Sequence, residues 1–103
     1  GIAACTEFAF LEQNILSFLG FNVYMLGGKL IDGQKEEGHN FNVVEIDGTF
    51  MIIDTAMNVF RQFTNITSLE ELINLKNFRV VNQDGKIVNY SIGLSNSIGN
   101  KHK

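Results

Sequence analysis

The sequence predicts an α+β fold in which a largely antiparallel sheet packs on an N-terminal helix. Three observations point there. The chain begins with an apolar-rich stretch at helical spacing that stops at Gly20. Two Asp-Gly dipeptides, Asp47-Gly48 and Asp84-Gly85, each separate a pair of strand-like runs. Proline is absent, so none of these elements is broken by one.

Residues 5–19 are predicted to form the helix. Phe8, Glu12, Ile15 and Leu19, flanked by Ala9, Leu11, Leu16 and Phe18, give a broad apolar face, and Glu7, Gln13, Asn14 and Ser17 give a polar one. Gly20 stands where a C-terminal cap glycine belongs. Phe21 to Leu26 reads as a short strand buried on both faces. Gly27 to Gly38, rich in Gly, Lys, Asp and Glu, reads as an exposed loop, and Gly27-Gly28 as a turn rather than a phosphate cradle. His39 to Ile46 and Thr49 to Thr55 form a hairpin around Asp47-Gly48, whose two-residue type I′ turn needs positive φ at both central positions. Ser68 to Lys76 is a short helix with Ser68 as N-cap and Glu70 and Glu71 in its first turn. Phe78 to Asn82 and Lys86 to Ile92 make a second hairpin around Asp84-Gly85. The tail from Ser95 is polar and expected to fray. The chain therefore divides into a core over residues 1–94 and a tail over 95–103.

Composition narrows the function. With 103 residues the chain makes one domain, near the lower end of size for an enzyme. Apolar residues at 45% against charged residues at 18% exclude a disordered segment. A net charge of −3 with no basic block argues against nucleic acid as a partner. No apolar run reaches the roughly 18 residues of a membrane span. Cys5 is the only cysteine, so no internal disulfide forms and the compartment and oligomeric state stay open. The start at Gly1, four residues before that cysteine, reads as a fragment or processed chain whose upstream part is missing. Glu36 and Glu37 beside His39 have no second His or Cys near them, so they read as a solvated loop, and neither metal nor cofactor is expected. His102 falls in the tail. Asn65-Ile66-Thr67 and Asn89-Tyr90-Ser91 match glycosylation sequons, a pattern common by chance.

Hairpin register gives the sharpest inference. If Asp47 and Gly48 form the turn, Ile46 pairs with Thr49 and Phe41 lies opposite Asp54. Side chains alternate along a strand, so His39, Phe41 and Asp54 share one face. His39 and Asp54 become diagonal neighbours about 7–8 Å apart, which an imidazole and a carboxylate can bridge. A slip of one residue would separate them. Cys5, at or just before the helix N-terminus, meets unpaired N–H groups and the macrodipole, which favour a thiolate. The dipole contributes about 0.3–1 kcal/mol, less than the roughly 1.36 kcal/mol of one pKa unit. A reactive thiolate therefore also needs an imidazolium beside it.

These residues resemble the transglutaminase-like superfamily of papain-like thiol enzymes. The likeness lies in Ala4-Cys5-Thr6-Glu7-Phe8-Ala9, Leu19-Gly20-Phe21, Val23-Tyr24-Met25-Leu26-Gly27-Gly28, Gly38-His39-Asn40-Phe41-Asn42-Val43-Val44 and Asp47-Gly48-Thr49-Phe50-Met51-Ile52-Ile53-Asp54-Thr55, over about residues 1–58. It implies a papain-like core with Cys5 as nucleophile, His39 as general base and acid, and Asp54 as orienting carboxylate. The implied reaction is acyl transfer on amide bonds of a protein or peptide substrate, as a cysteine peptidase, amidase or transglutaminase. The chain departs from the family pattern in having no Trp, with Phe41 and Phe50 in similar places. Thr55 stands for the usual proline and Ala3 for the usual glycine. The backbone N–H of Cys5 is expected to supply one oxyanion donor. A second would come from upstream, and losing one typically costs about 10²–10³ in rate, so low activity is expected of the fragment alone. The alternative implied by the departures is a binding or adaptor domain that keeps the fold. An arylamine-type acetyltransferase ranks below both, because no acyl-CoA site is recognisable after Asp54.

Overall fold

The Asp47-Gly48 turn sets the register of the sheet. Both residues have positive φ, 52° and 79°, as a type I′ turn requires. The computed structural model describes the backbone of residues 2–93 and 98–99 and the side chains of 7–93. The turn joins β2 (Lys35–Ile46) to β3 (Thr49–Asp54), with Ile46 opposite Thr49 and Asn42 opposite Ile53, the register read from the sequence.

The stretch expected to be a loop is instead strand. β1 (Asn22–Asp32) runs antiparallel to β2 along residues 35–45 and turns at Gly33-Gln34, where Gly33 has φ 66°. Glycine at the first central position with positive φ is the signature of a type II′ hairpin turn. Gly27 and Gly28 are therefore strand residues, not a turn, and Gly28 has a packing reason. It pairs with His39 on one side and Ile92 on the other, and a Cβ there would lie 1.8 Å from the Ser91 carbonyl oxygen.

After β3 come a single 3₁₀ turn (Thr55–Met57), β4 (Val59–Gln62) and α2 (Leu69–Asn74). Ser68 caps α2 as expected: its hydroxyl accepts from the Glu71 N–H at 3.1 Å, and the Glu71 carboxylate accepts from the Thr67 N–H at 2.7 Å. β5 (Asn77–Val81) and β6 (Ile87–Ile92) form the second hairpin. Asn82 organises its loop by accepting from the N–H groups of Asp84 and Lys86. Ile98–Gly99 form β7 against Tyr24 and Met25; the rest of the expected polar tail, with His102, lies outside the described residues.

The strands follow the order β4-β3-β2-β1-β6-β5, every pair antiparallel. The sheet curls until its two ends meet, with Phe63 edge-on to Phe78 at 5.1 Å. Its inner face holds the main core, including Leu26, Phe41, Val43, Phe50, Ile52 and Tyr90, which Leu72 of α2 joins. The protein is thus a small α+β domain with a nearly closed antiparallel sheet and one long helix, α1 (Ile2–Phe18), packed against it.

α1 ends in a Schellman motif. The Phe21 N–H bonds the Leu16 carbonyl, the Gly20 N–H bonds the Ser17 carbonyl, and Gly20 takes φ 98°. The helix meets the sheet through a narrower face than its apolar residues suggest. Ala9 is buried and Glu12, Gln13 and Leu16 are partly buried, whereas Phe8, Leu11, Ile15 and Leu19 are exposed and Phe18 is 89% exposed. The polar partners explain the rotation: Asn42 donates to the Ala9 carbonyl at 2.9 Å and to Glu12 at 2.8 Å, and Thr55 donates to the same Glu12 carboxylate. Asn42 is fully buried on the outer face of β2, and meeting its donors draws Glu12 inward.

Candidate functional site

His39 and Asp54 meet where the register puts them. Both are buried, at 4% and 3% exposure, and His39 Nε2 lies 2.7 Å from Asp54 Oδ2. A carboxylate can only accept, so Nε2 is the donor, and the neutral ring then keeps its lone pair on Nδ1. Nδ1 is buried and has no hydrogen-bond partner among the described residues. Phe41 stacks on the imidazole at 6.4 Å, 19° from parallel.

A third group joins them that the sequence did not reveal. Tyr90 Oη donates to Asp54 Oδ2 at 2.6 Å, so phenol and imidazole converge on one carboxylate oxygen. Tyr90 is 1% exposed, with Phe41 edge-on and Phe78 stacked on it, each at 4.9 Å. The available signal was the alternation Val88, Tyr90, Ile92, which aims the one polar tip among them into the core. Asn42 and Glu12, which seat the helix, were equally unmarked.

Burial first, then the Asp54 charge and the hydrogen bond to it, push the Tyr90 phenol far above its ordinary 10.0. A pKa raised on folding stabilises the native state below the unfolded value and loses that contribution as pH rises towards the folded one. Stability to urea is therefore expected to decline once the pH passes about 10. Tyr90→Phe should show a shallower alkaline decline, read as urea midpoints from pH 8 to 11.

Cys5 lies within α1, which begins at Ile2 rather than at Cys5. The cysteine thus stands at the end of the first turn instead of at or before the helix start. The free first-turn N–H groups then precede it, and its own N–H falls where intrahelical bonding starts. Its side chain lies outside the described residues. Cys5 shares a helix face with Ala9, one turn later, and Ala9 rests on Asn42. α1 leads through Gly20 to Asn22, which pairs with Glu45, so its N-terminus points towards the His39 end of β2. A shallow crevice lined by Phe8, Ala9, Asn40, Phe41, Asp54 and Thr55 marks the same junction. The imidazole faces the inner side of the sheet and α1 the outer. Any contact between them passes around β2 where β3 has ended, since β3 pairs with β2 only as far as Asn42.

Glu36 pairs with Lys29 at 3.1 Å, both exposed, and among the described residues no His, Cys, Asp and Glu cluster is placed to hold a metal. Among those residues no helix is long and apolar enough to cross a membrane. No protein-family model matches the chain, and no curated protein or solved structure matches it.

Proposed function

We propose that the protein is a thiol-dependent acyl-transfer enzyme with a papain-like, transglutaminase-like core, acting on amide bonds of a protein or peptide. The observation that carries this reading is the buried His39–Asp54 pair with Nδ1 left over, as a base awaiting a thiol requires. Cys5 is the nucleophile. Its proton passes to His39, the thiolate forms an S–C bond to the carbonyl, and the imidazolium returns the proton to the departing amine. Water or a second amine then breaks the thioester. Asp54 holds the tautomer that leaves Nδ1 basic and stabilises the imidazolium.

Iodoacetamide labelling of Cys5 as a function of pH tests the reading. A thiol paired with His39 should label well below the ordinary range, and His39→Ala should return it to a midpoint near about 8.5. An ordinary titration unchanged by His39→Ala would count against the enzyme. A second reading, a binding or adaptor domain, is favoured by how closed the pair is, with side-chain exposures of 1% and 3%. It predicts that Cys5→Ala leaves function intact.

A further inference from the structure

We propose that Tyr90 is a positioning residue of the same site, its hydroxyl fixing the Asp54 carboxylate and, through it, the imidazole of His39. This rests on the thiol-enzyme reading and adds to it a residue that lies outside residues 1–58, where the family resemblance ends.

Three observations support it. Tyr90 Oη and His39 Nε2 reach the same atom, Asp54 Oδ2, at 2.6 and 2.7 Å. The phenol ring has little freedom, because Phe41 meets it edge-on and Phe78 lies parallel to it within 11°. Its tip therefore cannot follow a drifting carboxylate, and the carboxylate is held to the tip instead. Finally, β6 is anchored to β1 beside the histidine: Gly28 pairs with both His39 and Ile92, and Leu30 pairs with Tyr90. A rigid donor on a rigid strand is what keeps a general base at productive geometry. The phenol also stays protonated, so it remains a donor to Asp54. Of the described side chains, the titratable groups facing His39 are Asp54 from β3 and Tyr90 from β6. Glu12, on α1, is engaged with Asn42 and Thr55, and Glu36 and Glu37 of β2 are exposed.

The deacylation step reads the role directly, because water attack on the thioester needs a correctly aimed imidazole whereas alkylation of a thiolate does not. With p-nitrophenyl acetate, Cys5 passes its proton to His39, Sγ takes the acetyl group, p-nitrophenolate leaves, and His39 releases the proton to solvent. Water then attacks, His39 takes its proton, the C–S bond breaks, acetate leaves, and the thiol regains the proton. Tyr90→Phe keeps the ring and its stacking and removes only the O–H. The expected result is an unchanged burst amplitude with deacylation slowed about tenfold, as for loss of a hydrogen bond to a charged group. A normal burst with wild-type deacylation would overturn this proposal alone. No burst in the wild-type protein would overturn it together with the enzyme reading. Should the Phe variant not fold, 3-fluorotyrosine in a Tyr24→Phe chain keeps ring and hydroxyl while making the phenol a stronger acid. A deacylation rate equal to that of the unlabelled Tyr24→Phe chain would then overturn the proposal.

Discussion

Replacing Asp54 with alanine is expected to cost about 3–5 kcal/mol of folding stability, the usual penalty for removing one partner of a buried pair. Two buried donors, His39 Nε2 and Tyr90 Oη, lose their only described acceptor at once. Each unsatisfied group costs about 1–3 kcal/mol, so the two estimates agree. A domain of this size has roughly 5–15 kcal/mol in total, which leaves the variant marginal. The melting midpoint should fall by about 4–8 °C for each kcal/mol lost. Asp54→Asn keeps an acceptor for the phenol and should cost clearly less. Urea midpoints for the three chains would show it; an alanine variant as stable as wild type would mean that the carboxylate is not the acceptor on which both donors depend.

Gly28→Ala should be a strongly damaging methyl addition to the sheet. The added Cβ would meet the Ser91 carbonyl oxygen at 1.8 Å and its carbon at 2.8 Å, both backbone atoms that move only if β6 moves. Overpacking typically costs about 1–3 kcal/mol and occasionally more; a backbone clash puts this substitution at the upper end, at roughly 3 kcal/mol. Gly38→Ala is the matched control, because nothing lies within 4 Å of its Cβ position, and it should stay within about 0.5 kcal/mol of wild type. Equal stability of the two variants would contradict the close approach of β1 and β6.

The contrast between these glycines shows what the sequence could and could not reveal. Asp47-Gly48 carried its own turn chemistry, and a turn of known length fixes everything paired beyond it, so His39 and Asp54 could be brought together from local information. Ser68 and Glu71 were legible for the same reason. Gly27 and Gly28 looked like loop residues, although both lie in β1, and the requirement for glycine at Gly28 is tertiary: it admits β6, which lies far along the chain. β4 was missed because four residues carry too little alternation to register, and the αL residue that starts it, Asn58, has no glycine to announce it. The helix face was misjudged because hydropathy alone turns Phe8, Leu11 and Ile15 towards the sheet, while the buried Asn42 amide seats the helix through Ala9 and Glu12 instead. Tyr90 was invisible for the most general reason, since its partner lies 36 residues away.

That separation bears on how the protein is made. Emerging from the ribosome, the cysteine, the imidazole and the carboxyl group are all synthesised well before the phenol that steadies them. Strand β1 likewise waits for its second neighbour until translation has passed Ile92. A nascent chain halted between Asp54 and Tyr90 would hold all three groups that we propose to react and still lack the contact that fixes the carboxylate. On the proposed reading, completion of synthesis would act as the safety catch on the thiol.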